Sequence, residues 1–272
     1  MYESYWQLRQ KPFDSSADPQ FYFPGESHQA ALLKLRYAVE NRRGGALLAG
    51  AAGTGKTLVV EMLRGLLGDT YSPFLRLVYP QMSTAEILAY LADELEGSPT
   101  ASDAGVHQSI QRIQRALTEN IRKGRHAVLV VDEAHLIESV HTFEMLRLLL
   151  NFGCDNQPGM TLLLAGQPGL LPILERMPQL EERLGVKCLL RPFTVQETAL
   201  YVAHRLRTAG CARPIVEPDA ISALFELTHG IARQINRLCD LALLIGYAEE
   251  RKTLSAEHFE SVCRELVAVA PE

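Results

Sequence analysis

Eight consecutive residues, Gly50, Ala51, Ala52, Gly53, Thr54, Gly55, Lys56 and Thr57, fit the pattern GxxxxGK[ST]. Glycines at these spacings let backbone N–H groups turn inward around phosphate oxygens, and a helix opening at the end of the run adds the partial positive charge of its N-terminus. In such a loop Lys56 reaches the β and γ phosphates of ATP, Thr57 offers its hydroxyl to Mg²⁺, and Leu58 carries the binding run into the helix. A second pair, Asp132 and Glu133, closes the apolar run 128–131. An acid at the end of a buried strand is costly unless it is paired or near a metal. The chemistry that fits is Asp132 holding the hydration shell of Mg²⁺ and Glu133 orienting and polarising the attacking water. A glutamate beside the metal-holding aspartate points to hydrolysis rather than to binding alone.

These residues need elements to place them. The loop leaves a short apolar strand, 46–49, and enters a helix near 55–67. A helix over 27–41 precedes the strand and ends at Gly44 and Gly45. A strand is expected around 74–79. Ser83 with Glu86 is a capping box that opens a helix whose buried stripe is Ile87, Leu88, Leu91 and Leu95. The stretch 97–105 reads as a loop. Val106, Ile110, Ile113, Leu117 and Ile121 recur at helical steps. The apolar runs ending at Glu133 and Gly166 are short and do not alternate, which suits parallel strands covered on both faces, and 186–190 is strand-like. Beyond Pro192 every periodic segment is helical. Thr194 with Glu197 caps a helix with the stripe Val195, Ala199, Val202 and Leu206, and helices near 218–228, 231–248 and 255–268 follow. The expected fold is therefore α/β, a parallel αβα sheet of the P-loop kind followed by a small all-helical domain, with the domains at 1–191 and 192–272.

Composition bounds the function classes. A chain of 272 residues that is 47% hydrophobic can bury a large core, which excludes disorder. Its formal charge of -5 argues against a dedicated nucleic-acid binder, and the segment 192–272 is itself acidic, with 8 Lys plus Arg against 11 Asp plus Glu. The five cysteines lack metal-ligand or disulfide-framework spacing, so reduced thiols and a cytoplasmic location are expected. No apolar stretch approaches the roughly 18 residues of a membrane span, so no direct membrane insertion is expected. The eight histidines show no metal-site spacing. The first 23 residues hold 7 of the 19 aromatics, an arm that must pack on something; Phe23 is its candidate for a base contact. Arg122, Lys123, Arg125 and His126 form the densest basic run, read as the cap of a helix C-terminus.

Several motifs in order resemble the AAA+ ATPases, and more narrowly the ExeA-type ATPases of the general secretion pathway, with pilus-biogenesis and transposition ATPases as neighbours. They are the opening segment with Leu8, Pro12, Phe13, Asp18, Pro19, His28 and Ala31; the phosphate loop; DEAHLI at 132–137; AGQPGLLPIL at 165–174; LEERL at 180–184; and HGIARQINRLCDLALL at 229–244. The resemblance covers nearly the whole chain. It implies that Gln167 stands at the first-sensor position, where a polar side chain bonds the γ-phosphate or the water; the alternative is a turn residue before Pro168. It puts Arg183 at the arginine-finger position, with Arg176 as the alternative, and Arg233 at the second-sensor position. Two departures stand out. Tyr79 lies where the family often has a polar amide near the end of the second strand, which puts in doubt any switch acting on Glu133 from there. The chain also ends at Glu272, without the membrane segment and peptidoglycan-binding module of larger ExeA-type proteins, so the anchoring parts are expected on another protein.

The resemblance implies an ATP- and Mg²⁺-dependent ATPase that works as a homo-oligomeric ring or filament. Its expected partner is a membrane protein of secretion, pilus or exopolysaccharide-export assembly that recruits it to the inner membrane. The alternative is an ATP-dependent DNA-binding adaptor that selects target sites for a transposase; the third option is a nucleotide-gated scaffold without turnover.

Overall fold

The computed structural model describes residues 1–14, 16–97, 105–154 and 157–268. Most of the expected loop 97–105 lies outside the described residues. Packing divides the chain into two compact units, residues 29–52 with 59–190, and residues 1–28 with 53–58 and 191–272.

The first unit is built on five parallel strands, β1 (Gly45–Gly50), β2 (Phe74–Leu77), β3 (Ala127–Val131), β6 (Met160–Gly166) and β7 (Val186–Leu190), in the order β2-β3-β6-β1-β7. Two-residue strands β4 (Gly153–Cys154) and β5 (Gln157–Pro158) form a separate antiparallel hairpin. In the sheet Leu47 lies opposite Leu164, and Leu129 lies opposite both Leu75 and Leu162. Every residue of β1, β3 and β6 is buried, as uniform apolar runs in a parallel sheet require. β2 stops at Leu77, and Val78 and Tyr79 are exposed rather than strand residues.

Helices α1 (Glu26–Glu40), α2 (Lys56–Leu66), α3 (Thr84–Glu96), α4 (Val106–Arg122), α5 (Val140–Leu149), α6 (Leu170–Glu175) and α7 (Pro178–Arg183) join these strands. The α3 capping box forms as the sequence predicts: Glu86 N–H donates to Ser83 Oγ at 3.3 Å and Ser83 N–H donates to Glu86 Oε2 at 2.8 Å. Ile87, Leu88, Leu91 and Ala92 are buried on α3, with Leu95 partly buried. On α4 the inward stripe narrows to Ile113 and Leu117, while Val106 is exposed. Each fully buried leucine of this core contributes roughly 1.5–3 kcal/mol. The basic run is split. α4 ends at Arg122 with Lys123 as its cap, but His126 is completely buried, its Nε2 2.9 Å from Thr161 Oγ1.

The second unit comprises α8 (Val195–Thr208), α9 (Pro218–Thr228), α10 (Ala232–Ala248), α11 (Ala256–Ala268) and the aromatic arm. The arm, expected with the α/β domain, packs on the helices. Trp6 is fully buried and donates from Nε1 to Leu243 O at 2.9 Å, and the arm's Phe13 and Phe21 join Tyr201, Leu224, Ile235 and Phe259 in one core. Arg205, 3% exposed, donates to Asp14 O at 2.9 Å and lies 4.4 Å over the Phe21 ring. The buried face of α8 is consequently Thr198, Tyr201, Val202, Arg205 and Leu206, rotated from the predicted stripe, and Val195 is exposed. At Gly230 a Cβ would fall 2.0 Å from Phe193 O, with φ at +71°, so only glycine fits the turn into α10. Among the described residues no helix is long and apolar enough to cross a membrane.

Candidate functional site

The phosphate-loop residues occupy the turn from β1 into α2. Gly50 ends β1 and is buried, Ala51 is half-buried, Ala52 is exposed, and Lys56 begins α2 with Thr57 and Leu58 half-buried behind it. Gly53 and Gly55 have φ of +79° and +99°, conformations that side chains other than glycine's rarely adopt. Thr54 and Lys56 are 2% and 5% exposed. The loop is further shaped within its own unit. His28, buried at the start of α1, bonds Thr54 O through Nε2 at 2.8 Å, and its imidazole stacks obliquely against Phe193. Burial pushes the His28 pKa down, although the bond to the Thr54 carbonyl opposes this, so the ring is a neutral donor. Arg233, exposed in the first turn of α10, donates its backbone N–H to Gly53 O at 3.1 Å, and a Cβ on Gly53 would lie 2.7 Å from Arg233 Cβ. The predicted second-sensor residue is thus brought against the phosphate loop. Phe23 packs edge-on against Phe193 and Tyr201, which accounts for it as a core residue.

In the sheet unit, Asp132 follows β3 and is 3% exposed; its N–H donates to Leu77 O at 2.9 Å. Its Oδ2 accepts from Arg76 Nη2 at 2.6 Å and its Oδ1 accepts from Glu133 N–H at 3.0 Å. Arg76 also reaches Glu61 on α2 at 3.0 Å, so one cation serves two carboxylates. Glu133 is held at φ 49°, strained for a residue with a side chain, and its side chain is 42% exposed. Glu133 Oε2 stands 3.4 Å from His135 Nδ1. Gln167, directly after β6, meets the same imidazole: its amide nitrogen is 2.9 Å from His135 Nε2, and its backbone N–H donates to Nδ1 at 3.3 Å. Three residues predicted separately or not at all therefore form one cluster at the strand ends.

Arg183 lies elsewhere. It ends α7 exposed, donates to Asn151 Oδ1 at 3.1 Å, and its carbonyl would be 3.2 Å from a Cβ on Gly44. Gly44 and Gly50 flank opposite ends of β1, about 20 Å apart at strand rise. Arg183 therefore sits beyond side-chain reach of its own Gly50. Arg176 caps α6 and is exposed.

Sequence reasoning assigned no role to His28, Arg76 or His135. His28 and His135 lie inside the quoted motifs, but their partners come from distant segments. The donors fit ATP and Mg²⁺: a glycine-built cradle with a lysine at its helix start, and a hydroxyl and a buried carboxylate, which are the hard oxygen ligands magnesium takes.

Comparison with known proteins gives three results. A family model described as "AAA domain" matches residues 39–174. General secretion pathway protein A of Aeromonas hydrophila is 36% identical over 251 residues, covering 91% of this chain; the chain spans 45% of the length of that relative. Similar solved structures include Cdc6p from Pyrobaculum aerophilum (TM-score 0.75, 17% identity, 96% of this chain and 74% of that one). Another is the Aeropyrum pernix ORC1 protein in complex with DNA (TM-score 0.69, 17%, 96% and 69%). A third is the Thermotoga maritima RuvB Holliday junction branch migration motor (TM-score 0.60, 20%, 89% and 69%). At these identities the likeness is one of fold.

Proposed function

From the premise that this chain belongs to the AAA domain family of P-loop ATPases, we propose that it binds ATP with Mg²⁺ and hydrolyses it at an interface between copies of itself. The observation that carries this reading is the pairing of a buried Asp132 with a half-buried Glu133 at the end of β3, in a chain whose β1 runs into a glycine-built phosphate loop. Lys56 binds the β and γ phosphates, and the loop's backbone N–H groups neutralise the rest of their charge. Thr57 and Asp132 would hold a magnesium ion, Asp132 through water, and the ion would supply positive charge against the phosphates. Glu133 orients and polarises the water, and Gln167 contacts the γ-phosphate or that water. Arg183 is the arginine finger and acts on a neighbouring subunit, since its place at the far end of β1 denies it its own loop. Residues 192–272 form the lid, and Arg233 moves it in response to the γ-phosphate.

The nucleotide cycle drives assembly of a secretion, pilus or exopolysaccharide-export apparatus, with the ATPase cytoplasmic and recruited to the inner membrane by a membrane partner. Support comes from the relative named for the general secretion pathway and from the acidic charge, which disfavours the transposition-type DNA adaptor. The test is ATP turnover at rising enzyme concentration, alongside an anisotropy titration with duplex DNA. Wild-type specific activity should rise with concentration, and Arg183→Ala should abolish the rise while leaving monomer nucleotide affinity unchanged. A retained rise refutes the finger, and salt-sensitive, ATP-dependent duplex binding replaces the secretion role with the DNA adaptor.

A further inference from the structure

We propose that His135 is a positioning residue that couples Gln167 to Glu133, so that contact of Gln167 with the γ-phosphate sets Glu133 for its work on water. This rests on reading Glu133 as the water-polarising carboxylate. The imidazole touches both residues at once: Nδ1 lies 3.4 Å from Glu133 Oε2, and Nε2 lies 2.9 Å from the Gln167 side-chain nitrogen. The ring is mostly enclosed, 16% exposed against 42% for Glu133. Room for it exists because β6 ends on Gly166, where a Cβ would stand 3.2 Å from His135 N and 3.4 Å from Nδ1.

The coupling follows from what an imidazole nitrogen can do. A ring nitrogen either donates or accepts. Nδ1 faces two competing groups, the Glu133 carboxylate, which needs a donor, and the Gln167 backbone N–H at 3.3 Å, which needs an acceptor. With the proton on Nδ1, the ring holds Glu133, and Nε2 accepts from the Gln167 amide N–H. With the proton on Nε2, Nδ1 accepts the Gln167 backbone N–H, Nε2–H donates to the Gln167 amide oxygen, and Glu133 is released. The two arrangements differ by a half-turn of the Gln167 amide and by which ring nitrogen carries the proton. When the second N–H of the Gln167 amide bonds a phosphate oxygen, the amide nitrogen is held towards Nε2, and the first arrangement, which orients Glu133, is favoured. This supplies, from within the segment that carries Glu133, the control that Tyr79, 62% exposed beyond β2, does not supply.

The test is a set of steady-state and nucleotide-binding measurements on the full chain with His135→Ala, Gln167→Ala, the double variant and Glu133→Gln. His135→Asn, which keeps a group at the Nδ1 position, is the second variant in case the alanine is poorly folded. Removing a positioning group of a water-activating carboxylate should lower kcat about 10- to 100-fold, with KM and the Kd for a fluorescent ATP analogue within twofold. Coupling predicts that the double variant loses no more than the worse single variant. His135→Asn should keep less than half of wild-type kcat, because it lacks the Nε2 end. Additive losses in kcat, or normal kcat in both His135 variants while Glu133→Gln is inactive, overturn the coupling and leave Glu133 in place. Turnover retained by Glu133→Gln overturns the role of Glu133 and the coupling with it.

Discussion

Arg76 offers a perturbation whose consequence follows from the geometry. Its guanidinium lies 2.6 Å from Asp132 Oδ2 and 3.0 Å from Glu61 Oε1, and the three side chains are 28%, 5% and 25% exposed. Arg76→Met keeps the aliphatic stem and removes the charge that Arg76 gives the two carboxylates. Breaking a fully buried ion pair costs about 3–5 kcal/mol; with over a quarter of Arg76 exposed, solvent screening lowers this to about 3 kcal/mol. In a domain of this size each kcal/mol shifts Tm by about 2–4 °C, so the variant should melt about 6–12 °C below wild type in EDTA. If Asp132 also holds magnesium, the ion replaces part of the lost cation. Saturating Mg²⁺ and ADP should then raise the variant's Tm more than wild type's and close at least half of the gap. Thermal unfolding with Mg²⁺·ADP and with ADP in EDTA reads both quantities. An equal gap in the two conditions refutes the assignment of Asp132 to the metal, and no gap in EDTA refutes the energetic reading of the pair.

Gly53→Ala places a Cβ 2.7 Å from Arg233 Cβ in a backbone with φ +79°. It should weaken binding of a fluorescent ATP analogue at least 10-fold while changing Tm by only a few degrees; unchanged affinity would show that the loop tolerates the displacement. His126 gives the pH dependence. Burial, helped by the Arg42 charge, pushes its imidazole down to about 4. The unfolded chain, with an ordinary histidine near 6.5, then binds the extra proton between about pH 6.5 and 4, so stability falls as pH drops through that window, by up to about 3 kcal/mol. Denaturant titrations at pH 7 and 4.5 should show a shallower loss for His126→Gln than for wild type, and parallel losses would remove His126 from the account.

The glycine-built turn from β1 into α2 and the carboxylate that follows β3 were legible because the motifs that mark them have fixed spacing within one segment. The central strands β1, β3 and β6 were legible because strands buried on both faces do not alternate. The α8 stripe was misplaced by local periodicity, since Thr198 and Arg205 are buried, and Arg205 bonds arm carbonyls 191 and 193 positions away in sequence. Arg76 escaped notice for a similar reason. It pairs in register with Val130, which sets its side chain beside Asp132, two positions on and just past the end of β3. His135 and Gln167 meet because β3 and β6 are neighbours, with Val131 opposite Leu164. Strand order and register are properties of the assembled sheet, and a motif read along the chain does not contain them.

Single-turnover and steady-state phosphate release by Glu133→Gln beside wild type, with nucleotide affinity measured on the same preparations, tests the central claim most directly. The account predicts Mg²⁺-dependent turnover by wild type and, for the variant, unchanged ATP affinity with turnover lowered at least 100-fold. Turnover by Glu133→Gln at the wild-type rate, or none by assembled wild type, would contradict it.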